Sequence, residues 1–162
     1  MTKSFKDLTS FRKQLEKVVK SYNPKEKILL ETVGKFVEKE AKNIIGHRQF
    51  SRGIYATWPE LAEATKKEKA RLGFAYNSDF NPLLRTGEMR DSITYFTAPH
   101  RVWVGSPSDI LVYQEMGTRT IPPRPVLGLT MYRNKKYFEW SIGDFLMSWV
   151  TDTRQKTRVS NL

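Results

Sequence analysis

Between Lys25 and Ile45 apolar residues return to one side of a helix: Ile28, Leu29, Leu30, Val33, Phe36, Val37, Ala41, Ile44 and Ile45. No other stretch has so long a helical stripe, and Gly46 supplies a natural stop. Whatever else the chain forms has to be laid against this helix. Upstream, Phe5, Leu8, Phe11, Leu15, Val18 and Val19 give residues 4–21 an amphipathic spacing among mixed charges. The segment "SYNP" predicts a break, with Pro24 in the first turn of the second helix. The short connection then predicts an antiparallel pair. Alternatively, the thinly apolar first helix, residues 1–22, lies against a neighbouring subunit.

Further along, "HRQFSRGIYAT" reads as a loop, and "TWPELAEATKKEKARLG" as a helix capped by Thr57, with Glu60 at the capping-box spacing. Trp58, Leu61 and Leu72 line its inner face. A short helix over about Leu83–Asp91 follows Pro82, with Thr86 a candidate cap near Gly87. "SITYFT" and "RVWVGS" alternate with period two across an Ala-Pro-His turn, which predicts a β-hairpin. Ser108 caps a short helix that Gly117 ends. "TRTIPPRPV" is an extended arm, either a rigid connection on its own domain or a contact to a neighbour. Leu127–Val150 reads as one long terminal helix bent near Gly143, and residues 151–162 as a mobile basic tail. The expected fold is a single α+β domain over residues 1–150. It has N-terminal helices, a small antiparallel sheet built on a hairpin, and a long C-terminal helix.

Composition narrows the chemistry. With no cysteine among its 162 residues, the chain has neither disulfides nor thiolate metal sites. No apolar run reaches the roughly 20 residues that span a bilayer, and the amino end lacks a signal-peptide core, so the expected compartment is the cytoplasm. His47 and His100 have no metal spacing, and nucleophile elbows, Walker loops and dinucleotide fingerprints are missing. Glu38 with Glu40, and Glu88 with Asp91, read as solvated or salt-bridged helix carboxylates. No catalytic residue, metal ligand or cofactor site is expected.

The net charge of +11 attracts polyanions and acidic protein surfaces. In "MYRNKKYFEW" aromatic and basic residues interleave, as in some nucleic-acid sites. The same spacing also turns Tyr132, Phe138 and Trp140 to a core, with Arg133, Lys135 and Lys136 in water.

Four pieces in fixed order carry a resemblance: "WPELAEATKKEK" (58–69), "PLLRTGEMRDSI" (82–93), "VWVGSP" (102–107) and "VYQEMGTRTIPPRPVLGL" (112–129). Together they resemble the phage virion-morphogenesis family, the tail-completion proteins of tailed bacteriophages and prophages. Met116 and Val126 stand where that family usually has phenylalanine. The resemblance covers about residues 50–130, leaving the first 45 residues and the end of the last helix outside it.

The resemblance implies a non-enzymatic, cofactor-free structural protein of the virion neck or tail, assembled in the host cytoplasm. Its implied partners are itself, in a hexameric ring, and neighbouring neck, tail-terminator or tail-tube proteins. Non-specific contact with packaged DNA is a further expectation, and membrane contact is not. Arg85, Arg90, Tyr113, Glu115, Arg119, Ile121, Pro122, Pro123 and Arg124 are the candidate docking residues. Trp58, Leu83, Leu84, Gly87, Ile93, Gly117 and Pro125 are candidate structural residues. The competing reading is a basic DNA-binding accessory protein of a phage or mobile element.

Overall fold

A computed structural model describes residues 7–75, 77 and 80–151. The basic tail beyond Thr151 and the first six residues lie outside the described residues. The chain is α+β: six helices and one two-stranded antiparallel sheet among the described residues.

The first helix, α1 (Leu8–Ile44), is a single rod of 37 residues with Pro24 inside it. At 1.5 Å per residue it is about 55 Å long. The expected break at "SYNP", and with it the antiparallel pair of N-terminal helices, does not occur. Proline removes one N–H and crowds the preceding turn, but packing grips α1 on both sides of it. Tyr22 meets Phe145 and Trp149 edge-on, Lys25 Nζ donates to the Ser148 carbonyl at 2.7 Å, and Phe36 stacks on Tyr137 at 3.9 Å. Asp7 caps the helix by accepting from the Ser10 N–H.

The helix α2 (Glu63–Arg71) starts later than the capping box implied. Thr57 Oγ1 accepts instead from the Ser51 N–H at 3.0 Å, and residues 58–61 stay outside the helix. The reason is tertiary: Trp58 enters the core at 1 % exposure and its backbone N–H pairs with the Gln49 carbonyl. The helix α3 is only Glu88–Asp91, entered through Gly87 at φ 95°. Thr86 Oγ1 accepts from the Glu88 N–H at 3.4 Å, a loose version of the expected cap.

The hairpin forms as read: β1 (Thr94–Ala98) pairs with β2 (Arg101–Gly105), Phe96 opposite Trp103. Pro99 followed by His100 at φ 64° matches the dihedral pattern of a type II turn. Tyr95 and Val102 lie against α1 at Gly34, and Phe96 and Trp103 stack on the outer face. Then come α4 (Asp109–Met116), α5 (Leu127–Arg133) and α6 (Lys135–Thr151). The terminal helix is therefore two helices, divided at Asn134 rather than bent at Gly143. Asn134 Nδ2 donates to the Thr130 carbonyl and closes α5, while α6 runs through Gly143 without interruption.

The core gathers at the C-terminal end of α1: Ala41, Ile44, Ile45, Trp58, Ile93, Leu111, Val126 and Leu129. Phe36 to Tyr137 and Tyr22 to Trp149 fix α6 antiparallel to α1. Phe138 and Trp140 are half-buried as read, whereas Tyr132 is largely exposed, its ring edge-on to Tyr55.

Candidate docking surfaces

The motif pieces are brought into one corner and interlock. Arg124 is 6 % exposed. Its Nη2 donates to the carbonyls of Pro59 and Glu60 at 3.0 and 3.1 Å, and Nε donates to Pro59 at 3.3 Å. Burial lowers its pKa below the usual arginine value. Its backbone N–H also donates to the Gln114 carbonyl. The proline arm is thus locked to residues 59–60 by a cation set among carbonyl oxygens.

Glu115 performs a second internal task. Its carboxylate accepts from the N–H groups of Val126 (2.6 Å), Leu127 (2.9 Å) and Gly128 (2.7 Å). It therefore caps the start of α5, where backbone donors are otherwise unpaired and negative charge is favoured. Between these contacts Gly117 turns at φ 75°, and the Thr118 N–H donates to the Ile121 carbonyl. Arg124 and Glu115, expected to face a neighbour, are spent inside the chain. Arg119, Pro122 and Pro123 are exposed, Ile121 and Pro125 are half-buried, and Tyr113 is about half exposed.

The central unit around "PLLRTG" is a clamped loop. Lys69 looked like its solvated neighbours in sequence, yet it is 7 % exposed. Its ammonium donates to three carbonyls: Phe80 (2.8 Å), Asn81 (2.6 Å) and Leu84 (2.6 Å). Burial first, and the Arg85 cation second, lower its pKa from the ordinary lysine value. The Gly46 N–H donates to the Pro82 carbonyl at 2.8 Å. These ties hold Phe80, Asn81 and Leu83 at positive φ, uncommon for residues with a Cβ. Ile93 is fully buried, and Leu83 and Leu84 pack against the core as expected. Arg85 pairs with Glu68 at 3.3 Å and lies over the Phe74 ring. Arg90 pairs with Asp91 at 2.8 Å, which raises the arginine pKa and lowers that of the carboxyl.

Between α2, this loop, α4 and the proline arm runs a groove of about 480 Å³, lined by Leu61, Leu72, Leu84, Ile110 and Ile121 among others. On α4, Ile110, Val112 and Met116 are more than half exposed. A second recess of about 360 Å³ lies where the hairpin turn meets α1, beside His100 Nδ1 and Glu26 Oε1 at 2.7 Å. Among the described residues no group of three His, Asp or Glu side chains is placed to hold a metal, and no helix is long and apolar enough to cross a membrane.

Comparison with family models, curated proteins and solved structures finds no match.

Proposed function

We propose that this chain is a structural virion protein of the phage neck or tail. In this reading it completes the tail and joins it to the head through ring-forming protein–protein contacts. The observation that carries the reading is how the motif residues are used. Arg124 and Glu115 bond the backbone of other motif residues, Gly117 lies against Ile121 and Pro123, and Trp58 fills the core. Exposed apolar side chains lie elsewhere: the Phe96–Trp103 pair, the α4 face and spaced positions along α1 and α6. A rigid corner that presents apolar faces suits adhesion to other proteins.

The test is deletion of the gene in the genome that encodes it, followed by electron microscopy of the particles made. Separate heads and tails, rejoined by adding the protein, are the expected result. Normal infectious particles would overturn the reading. The net charge of +11 favours the second reading, DNA binding. That reading requires duplex affinity that falls steeply with salt, whereas a neck protein attaches to purified tails or heads.

A further inference from the structure

We infer that the α1–α6 arm is a self-association surface, and that its occupant is the same arm of a second copy related by a two-fold axis. The inference does not depend on the virion reading. It starts from α6, which after Glu139 carries only one charged residue, Asp144, up to Thr151. A helix apolar on all sides is normally buried on all sides. Here Phe145 and Ser148 are buried, yet Ile142, Leu146 and Val150 are 46–63 % exposed. They recur at i, i+4 and i+8 and so form one continuous ridge, inclined to the helix axis.

The amino-terminal part of α1 has the matching feature. Leu8, Leu15 and Val19 are 48–85 % exposed. They continue, toward the N-terminus, the stripe that Val37, Ala41 and Ile44 bury further along. The hairpin reaches along α1 to Glu26, which pairs with His100, and to Tyr22, whose ring centroid lies 6.2 Å from that of His100. The antiparallel contacts place Trp149 level with Tyr22, so the last described turn of α6 stops short of Leu15 and Leu8.

At 3.6 residues per turn, the α6-facing residues of α1 (Val18, Tyr22, Phe36) and the α1-facing residues of α6 (Phe138, Phe145, Trp149) orient the pair. Both exposed stripes then fall on the same side of it, end to end. The α6 stripe finishes near the level where the α1 stripe begins. A two-fold axis crossing that junction lays each copy's α1 stripe on the other's α6 stripe. Residue spacing matches: Val19 meets Val150 and Leu15 meets Leu146, four residues apart in both helices.

Charge and area favour a second copy over an acidic partner. Lys13, Lys17 and Lys20 fall on α1 positions turned away from the stripe, and Arg12, the cation between Leu8 and Leu15, is already paired with Glu16 at 2.9 Å, so no opposite charge is needed across the seam. The exposed area of the six side chains is, to order of magnitude, the roughly 800 Å² that each partner gives to a standard interface. Repulsion between two copies of net charge +11 is long-range and screened by salt, so the pair tightens as salt rises.

The experiment uses the full chain, which has no native cysteine. Leu15→Cys and Leu146→Cys are purified separately, mixed and oxidised. Within one chain the two positions lie roughly 15 Å apart along the helices, as do two Leu15 positions across the axis, beyond disulfide reach. The expected result is a covalent dimer in the mixture and in neither protein alone. Crosslinking of Leu15→Cys by itself would instead indicate α1 paired with α1, and a mixture that stays monomeric would remove the pairing altogether. In parallel, Leu146→Glu, at an exposed site, is expected to weaken dimerisation at least a hundredfold by sedimentation with an unchanged circular dichroism spectrum. An unchanged dimer, or a wild-type dimer that loosens as salt rises, would overturn the inference.

Discussion

The Arg124 guanidinium spans 65 residues of sequence to sit on the carbonyl oxygen of Pro59, at 3.0 Å from Nη2 and 3.3 Å from Nε. A buried cation held by carbonyls alone keeps its geometry only if every donor placement is met. Arginine's planar fork meets two carbonyls at once, which a lysine ammonium at the same place does not reproduce. Replacing Arg124 by methionine is expected to cost about 2–3 kcal/mol, the range for hydrogen bonds to a charged group. For a chain of this size that lowers Tm by roughly 5–10 °C. Arg124→Lys should recover less than half of the loss. Thermal unfolding followed by circular dichroism measures both, and a neutral Arg124→Met would refute the clamp.

Glu115 is the corresponding lock on the other side of the proline arm. Three N–H donors share one carboxylate, and charge-assisted bonds of this kind are about twice as strong as neutral ones. Glu115→Ala is expected to destabilise by about 2–3 kcal/mol, more than an ordinary N-cap loss of about 1 kcal/mol. Glu115→Gln, which keeps an acceptor oxygen, should cost about half as much. Amide hydrogen exchange at Val126, Leu127 and Gly128 should accelerate in Glu115→Ala before exchange in α6 does.

Elements written by neighbouring residues were legible in the sequence. The hairpin was, because period-two alternation flanks a Pro-containing turn. So was α4, between Ser108 and a glycine that takes positive φ, although the Ser108 side chain makes no cap hydrogen bond and its N–H donates to Ser106 Oγ at 2.9 Å. Gly87 and Gly117 take positive φ at a helix start and a helix end, which is local, whereas Trp58 and Ile93 are buried by tertiary packing. What escaped was set by distant partners. Pro24 reads as a break, but the packing of Tyr22 and Lys25 on α6 carries the helix through it. Lys69 has the same neighbours as Lys66 and Lys67, and only the loop that reaches it from residues 80–84 makes it a buried clamp. Arg124 and Glu115 read as docking residues because an exposed charged arm and an internally satisfied one are spelled alike.

Acid should act on Glu60 in a definite direction. The Lys66 hydrogen bond and charge, then Arg48, lower its pKa below the ordinary 4.5. With the folded value depressed, the carboxylate adds stability above 4.5, and that increment is lost as pH falls through the folded pKa. Glu60 is exposed, so the increment is small, but the titration itself is measurable. The Glu60 carboxyl carbon, followed by NMR, should titrate below 4.5. Lys66→Met should move its midpoint up toward 4.5, and Arg48→Met should move it less. A midpoint indifferent to Lys66→Met would disprove the pairing at 3.4 Å.

Two helical glycines should respond in opposite directions to the same change. A Cβ on Gly34 would stand 2.5 Å from Tyr95 Cδ2 and 2.8 Å from Cγ, because the hairpin rests its inner face directly on α1 there. Alanine gains about 1 kcal/mol of helix propensity over glycine. Overpacking of this kind typically costs about 1–3 kcal/mol. A ring backed by the hairpin on one side and the helix on the other has little room to yield, so Gly34→Ala should be net destabilising and should shift the amide resonances of residues 94–105. At Gly143 an added Cβ meets nothing within 4 Å, so only the propensity remains and Gly143→Ala should stabilise by about 0.5–1 kcal/mol. If Gly34→Ala raised Tm as much as Gly143→Ala, the hairpin could not be seated on α1 at the distance found, and the outward presentation of Phe96 and Trp103 would lose its footing.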